Sequence, residues 1–585
     1  MVLLEQFEQL TGHPKNAAKL KELVLQLAVQ GKLTEAWRNQ HPNVEPASEL
    51  LKRVLAEKAK LVKGKKFKTT NSISISVEDE KYNMPTSWAS CMLDELGIVN
   101  PRNQVDDDTR VSFIPMTLVS EKYGITPVFE ERSWKEVKSG FTHVAENDVA
   151  LAKITPCFEN SKAGVFKGLI NGFGAATTEL HVFRSISKEV LPEYIYILFK
   201  SPKFLEDGKL NMRGAAGQKR VPTEFVKCYP VPLPPLAEQE AIVARVEELM
   251  QKIEELEKGA LERIQLQKSL GEAALQALTT APADELEQQW LFLKEHFHLL
   301  FTQEANVKKL REAILQLAVQ GKLTSAWRQQ NPTVQPAAQL LQQIQAQKAQ
   351  LVKEKKIKKE KPLEPIAESE VPYVLPEGWV WCRMNDISQF ENGDRSSNYP
   401  SGVDIKAEGI PFFSTKNIKN KLVNFSNLDF ITPAKFESLR SGKAQDNDIL
   451  FVLRGSVGKV GLFKANEQYK KGFINAQIII IRNYLSEIVS YCMTYLTSSL
   501  FSELLIDKSS GSAQQQLSAG NLKFILFPLP PLAEQEAIVA KVDQLMQMCE
   551  ALENQLKQSN QQSEALMQAV VHAALQPQEE PVLEA

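Results

Sequence analysis

The chain has 585 residues, of which 43% are hydrophobic and 24% charged, with a formal net charge of −2. That length exceeds one domain and predicts about three to five compact units of ordinary globular composition. No apolar run reaches the roughly 18 residues of a membrane span, and the balanced charge argues against a uniformly basic surface while leaving room for local basic patches.

The start, Met1 to Gln6, lacks the basic and apolar stretches of a signal peptide. A helix is predicted over Ala17–Gln30, with Leu20, Leu23, Val24, Leu27 and Ala28 on one face and Gly31 as its C-cap. The lysine-rich stretch Val62–Lys68 reads as a solvated linker or helix end. Short strands are then predicted over Val111–Met116, Asp148–Ile154, Ala163–Phe166 and Thr178–Phe183, with a helix at Pro192–Phe199. Two loops in this stretch carry polar donors. One contains Lys153, Thr155, Asn160 and Lys162, and the other runs Arg213-Gly214-Ala215-Ala216-Gly217-Gln218-Lys219-Arg220. Gln reads adenine in bidentate fashion, Arg reads guanine and Lys pairs with phosphate, so these residues are candidate DNA contacts.

After Pro234-Pro235 a long helix begins, because proline precedes a helix readily but disrupts its interior. Its 4-3 spacing places Ile242, Val246, Leu249, Ile253, Leu256, Ala260, Arg263, Gln267, Leu270 and Ala274 on one seam, the pattern of a coiled coil. A second amphipathic helix, Val307–Gln320, is capped by Gly321, and a second lysine-rich stretch covers Val352–Lys361. Further strands are predicted over Ile410–Ser414, Asp448–Leu453, Lys459–Phe463 and Ile478–Arg482, with a helix at Ser486–Leu496. Candidate DNA contacts here are Lys416 and Asn417, the loop residues Arg454, Ser456 and Lys459, and Gln514, Gln515 and Gln516 before the last strand. A final long helix carries the seam Ile538, Val542, Leu545, Cys549, Leu552, Leu556, Ser559, Ser563, Leu566, Val570.

The chain is written twice. LQLAVQGKLT occurs at 25–34 and 315–324, Ala36-Trp37-Arg38 returns as Ala326-Trp327-Arg328, and PLPPLAEQEAIVA stands at 232–244 and 528–540. A period near 290 residues is a duplication of a whole unit rather than a solenoid repeat. Between Trp88 and Pro230, and between Trp379 and Phe527, the copies share little, so one frame carries two divergent inserts. Both helix types are continuous in the middle of the chain and split between its ends. The N-terminal helix is therefore expected to return and pack beside the C-terminal one.

No catalytic grouping stands out. Gly455-Ser-Val-Gly-Lys459 lacks the spacing of a phosphate loop and is followed by Val460 instead of Ser or Thr. Cysteines 91, 157, 228, 382, 492 and 549 form no CxxC pair, which points to a reducing, cytoplasmic location without a zinc site.

PLPPLAEQEAIVARVEELM at 232–250, PLPPLAEQEAIVAKVDQLM at 528–546, and LREAILQLAVQGKL at 310–323 with its copy at 20–33 resemble the conserved regions of type I restriction–modification specificity subunits. The resemblance covers essentially the whole chain. It implies an α+β fold: two α/β target-recognition domains separated by long antiparallel coiled-coil spacer helices in a pseudo-twofold internal repeat. The domains expected are a conserved helical region over 1–83, recognition domains over 84–231 and 375–527, a central spacer over 232–374 and a C-terminal spacer over 528–585. The resemblance further implies a non-catalytic chain that reads a bipartite, asymmetric site in double-stranded DNA. It would dock two modification subunits, which use S-adenosylmethionine to methylate adenine at N6, and restriction subunits, which cleave with ATP and magnesium. No cofactor is expected on this chain. A coiled-coil protein-binding adaptor and a free-standing nuclease remain the alternatives.

Overall fold

The computed structural model describes residues 15–63, 84–215, 217–282, 284–360, 363–507 and 519–575. Two compact units form, one from the described residues up to 263 with those from 559 onward, the other from 264–558.

The first unit opens with helices Lys15–Val29, Glu35–Gln40 and Ala47–Lys63. The first of these ends at Gly31, as the sequence predicts. Its φ is +71°, and the Lys32 amide donates back to the Leu27 carbonyl at 3.0 Å. A Cβ at Gly31 would meet Pro85 at 2.8 Å and Trp88 at 3.0 Å, so glycine also admits the next segment. Ten strands follow: β1 (Ala89–Met92), β2 (Gly97–Val99), β3 (Arg110–Ile114), β4 (Glu130–Ser133), β5 (Thr142–Ala145), β6 (Val149–Ala152), β7 (Ala163–Val165), β8 (Phe173–Ala176), β9 (Leu180–Ser185) and β10 (Pro230–Leu233). They make a sheet of order β2-β9-β6-β7, a sheet of order β4-β3-β8-β5, and a two-stranded ribbon in which β1 pairs antiparallel with β10. Helix Pro192–Lys200 covers the first sheet, helix Pro202–Asn211 packs on that helix and on Lys15–Val29, and helix Leu236–Thr280 leaves from the ribbon.

The second unit repeats this plan. Helices Glu304–Val319, Ser325–Gln330 and Ala337–Lys353 precede β11 (Val380–Arg383), β12 (Ser388–Asn392), β13 (Ile410–Phe413), β14 (Ile418–Lys419), β15 (Leu422–Val423), β16 (Asp429–Ile431), β17 (Lys443–Gln445), β18 (Ile449–Val452), β19 (Val460–Leu462), β20 (Lys471–Ile474), β21 (Ile478–Asn483) and β22 (Leu526–Leu529). The sheet order β16-β13-β20-β17 matches its counterpart strand for strand, and β12-β21-β18-β19 is extended by the hairpin β15-β14. Two inserts with little common sequence thus share one topology. Each also buries an equivalent ion pair, Arg184–Asp148 and Arg482–Asp448, both at 2.7 Å.

The predicted return of the N-terminal helix is borne out within the first unit. Met567 is buried in the same core as Leu20 and Val24, Asn16 Nδ2 donates to Ser563 Oγ at 3.3 Å, and Lys32 Nζ donates to the Ala574 carbonyl at 2.8 Å. The central pairing in the second unit has the same form. There Asn306 Nδ2 donates to the Gln267 carbonyl at 3.3 Å, and Lys322 Nζ donates to the carbonyls of Thr279 and Ala281.

The uninterrupted heptad seam is corrected. Arg263, Ser559, Leu270 and Leu566 are exposed. The stripe instead passes one residue later, through buried Gly271 and Met567, and meets the predicted seam again at buried Ala274 and half-buried Val570. Steps of four, four and three residues replace the strict alternation, because an 11-residue stretch follows the natural pitch of a straight helix more closely than heptads do. Helices Ala47–Lys63 and Ala337–Lys353 were missed; the first lysine-rich stretch begins at the end of its helix and otherwise lies outside the described residues. Among the described residues, no helix is long and apolar enough to cross a membrane.

Candidate nucleic-acid interface

In the first recognition domain, two predicted loops are stitched together. Loop 153–162 joins β6 to β7, and in the second loop Arg213 and Arg220 exchange backbone hydrogen bonds at 3.0 and 2.8 Å, which pairs its two ends as in a hairpin. The Thr155 amide donates to the Lys219 carbonyl at 3.0 Å and its hydroxyl donates to the same oxygen at 3.1 Å. The Val221 amide donates to the Lys153 carbonyl at 2.8 Å. The peptide Thr155–Pro156 is cis.

Arg213, Gln218 and Lys219 are exposed on the hairpin and Asn160 on the loop, while Lys153, Thr155 and Lys162 are half-buried. Lys162 Nζ donates to the Met116 carbonyl at 3.4 Å. Arg220 is engaged differently from its neighbours. Its Nε and Nη2 both hold Glu179, each at 2.9 Å, and this pairing lowers the Glu179 carboxyl below its ordinary range. The guanidinium of Arg213 has no side-chain partner among the described residues and is the one aimed at solvent.

In the second domain, Arg454–Lys459 joins β18 to β19, the place that 153–162 occupies in the first. Gly455 and Gly458 adopt φ of +84° and +85°, which turns the chain tightly and leaves Arg454 and Ser456 exposed. Lys459 Nζ donates to the Thr415 carbonyl at 3.2 Å, tying this loop to the turn after β13. Lys416 in that turn pairs with Asp429 at 2.8 Å. Asn417 is buried, its Oδ1 accepting from the Ser414 amide at 2.9 Å, so it shapes the turn from inside. Gln514, Gln515 and Gln516 lie outside the described residues.

Sequence reasoning missed a neighbour of Arg454. The Leu453 amide donates to the Gln477 carbonyl at 2.8 Å, and Arg395 Nη2 donates to the Ala476 carbonyl at 3.2 Å. Arg395, Arg454 and Gln477 are therefore gathered on one exposed edge. Only the strand order, which brings segments 395, 454 and 477 together, could have revealed this. The equivalent place in the first domain holds Glu179, whose carbonyl accepts from the Lys153 amide at 2.9 Å. The two edges thus offer different donors and acceptors on the same backbone frame.

The family model described as "Type I restriction modification DNA specificity domain" matches residues 88–266 and 376–560, once per recognition domain. The chain belongs to that family. It is a specificity subunit, the non-catalytic DNA-recognition component of a type I restriction–modification system. It is 41% identical over 563 residues to the EcoAI specificity subunit of Escherichia coli, covering 95% of this chain and 93% of that one. Similarity to the Escherichia coli EcoEI specificity subunit is 39% over 572 residues, with the same coverage. The HsdS subunit from Thermoanaerobacter tengcongensis aligns over 85% of this chain and 98% of its own, with a TM-score of 0.45 and 18% identity. In this specificity subunit the family match takes in both ribbons and about the first two-thirds of both long helices.

Proposed function

We propose that each recognition domain reads one half of a bipartite, asymmetric DNA site through the loops after β6 and β18 and the edges beside them. The observation that carries this reading is one strand order bearing two unlike sets of exposed polar side chains. Arg213, Gln218 and Lys219 face outward in one domain, and Arg395, Arg454 and Gln477 in the other. Base-edge contacts of this type discriminate by about 1–3 kcal/mol per base pair, and flanking lysines add sequence-independent phosphate attraction.

The long helices set the unread gap in this reading. At 45 and 44 residues and ~1.5 Å per residue, each is roughly 65–70 Å long, about two turns of DNA. Two modification subunits, carrying S-adenosylmethionine, would dock on the conserved helical regions and methylate adenine at N6 after flipping it from the duplex. Restriction subunits would use ATP and magnesium to cut unmethylated DNA. This chain would hold none of these cofactors and would act in the cytoplasm.

The test is genome-wide adenine methylation by long-read sequencing, in cells expressing the chain with its modification subunit and in cells lacking it. A new two-part motif with a fixed gap is expected. An assembled complex that yields no motif and binds no DNA would favour a protein-binding adaptor, and cutting by the purified chain alone would favour a nuclease.

A further inference from the structure

Lys200 closes helix Pro192–Lys200 and is only 3% exposed. Its Nζ donates to two backbone carbonyls, Glu121 and Ser161, each at 2.8 Å, and lies 5.5 Å from the centre of the Tyr196 ring. Among the described residues no carboxylate forms an ion pair with it. Burial pushes this amine down to about 7 against the attraction of the Glu121 carboxylate, a cost that its two carbonyl hydrogen bonds offset in part. What it holds is two loops. Glu121 lies in the segment after β3 and Ser161 in loop 153–162. Their other links are long, with Ser161 Oγ to the Glu121 carbonyl and the Ala163 amide to the Ser120 carbonyl both at 3.4 Å.

The second domain solves the same problem from the opposite side. Tyr194 and Tyr491 each donate their hydroxyl to the carbonyl of an equivalent ribbon proline, Pro232 and Pro528. Ser201 and Ser498 each donate at 2.7 Å to a carbonyl three residues back. This register puts Thr497 where Lys200 stands. The lysine now comes from the loop: Lys421, in the two-residue turn of hairpin β14–β15, donates to Thr497 Oγ1 at 3.3 Å. Asn420 and Lys421 have φ of +50° and +62°, as a tight hairpin turn requires, and the Leu462 amide at the end of β19 donates to the Lys421 carbonyl at 2.9 Å. In both domains one lysine ties the end of the covering helix to the segment after β3 or β13.

We propose that Lys200 and Lys421 are positioning residues for half-site recognition: Lys200 fixes loop 153–162 to the segment after β3, and Lys421 fixes hairpin β14–β15, which continues from the Thr415–Asn417 turn that Lys459 grips, to the end of the covering helix. The proposal rests on the bipartite reading above. Neither lysine needs to touch DNA. Each acts through the loop it fixes, so its loss should loosen discrimination in one half of the site only.

The experiment uses the full chain assembled with its modification subunit and reads methylation at the cognate motif and at sites with one mismatch in either half. Lys200→Met is expected to raise methylation about tenfold at sites mismatched in one half and leave the other half unchanged. Lys421→Met is expected to do the same for the opposite half. Equal loosening of both halves, or none, overturns the proposal. If Lys200→Met does not accumulate, Lys421→Met, whose residue is exposed, decides alone. A wild-type complex that assembles without producing a two-part motif sinks the recognition reading itself and the brace with it.

Discussion

Glu238 accepts the indole N–H of Trp88 at 2.8 Å, and Glu534 accepts that of Trp379 at the same distance. The other oxygen of Glu238 takes the Thr34 hydroxyl at 2.7 Å and the Arg38 guanidinium at 2.5 Å. Thr324 and Arg328 serve Glu534 in the same way. One buried carboxylate in the first turn of each long helix therefore joins the preceding helices, the entry to the recognition domain and the spacer.

Replacing Glu238 by Ala strands Arg38 and leaves two donors without an acceptor. A loss of about 3–5 kcal/mol is expected, measured as a lower urea midpoint for the unit that contains it. Glu238→Gln keeps an acceptor and should lose less.

Two glycines of the spacer helix Leu236–Thr280 should respond in opposite directions. A Cβ at Gly259 meets nothing within 4 Å, so Gly259→Ala should stabilise by about 1 kcal/mol through helix propensity. A Cβ at Gly271 would stand 2.7 Å from Asn306 Nδ2 and 3.1 Å from the Leu300 carbonyl, so Gly271→Ala should destabilise. Thermal unfolding of both variants checks the contrast.

His181 is buried, with Nε2 at 2.8 Å from the Val221 carbonyl, and burial pushes it down to about 4 from an ordinary 6.5. Between those values the unfolded chain takes up a proton that the folded chain refuses. Stability is therefore complete above pH 6.5 and declines as pH falls toward 4, by up to about 3 kcal/mol. His181→Gln should flatten this decline, read from unfolding midpoints at about pH 7 and about pH 5.

Arg213→Ala and Arg454→Ala should each weaken DNA binding by the assembled complex. If the side chain meets phosphate, the slope of log affinity against log salt falls by about one; if it meets a base, discrimination at one position relaxes. Arg220→Ala removes a partner of Glu179 and is expected to act through the shape of the hairpin, with little change in salt slope. Filter binding over a salt series separates the three.

The duplicated frame was legible because its signals are local. Gly31 and Gly321 cap one pair of helices, Pro235 and Pro531 precede the long pair, and ten identical residues mark each copy. The four strands named in each insert lie within a few residues of the observed ones because runs such as Val149–Ala152 and Ile449–Val452 are short, apolar and bounded by turns, whereas more polar or glycine-containing strands such as Glu130–Ser133, Phe173–Ala176, Asp429–Ile431 and Lys471–Ile474 carry no such signal and were missed. The phase of the spacer seam was not legible past Ala260, since a polar stretch satisfies two registers equally and only packing chooses between them. The candidate interface was half legible. Its loops could be named from composition, but the commitment of Arg220 to Glu179, the burial of Asn417 and the approach of Arg395 to residue 476 are long-range facts that no spacing encodes.

The chain enters and leaves each recognition domain on adjacent antiparallel strands, Ala89–Met92 against Pro230–Leu233 and Val380–Arg383 against Leu526–Leu529. Entry and exit at one neck leave the chain path of the frame independent of what lies between Met92 and Pro230, or between Arg383 and Leu526, so long as the covering helices keep the faces packed on Lys15–Val29 and Glu304–Val319. Mutations inside either neck, away from those packed faces, can therefore accumulate and be selected for a new target while assembly with partners stays under separate selection. Heredity can revise the address without rebuilding the machine that delivers to it.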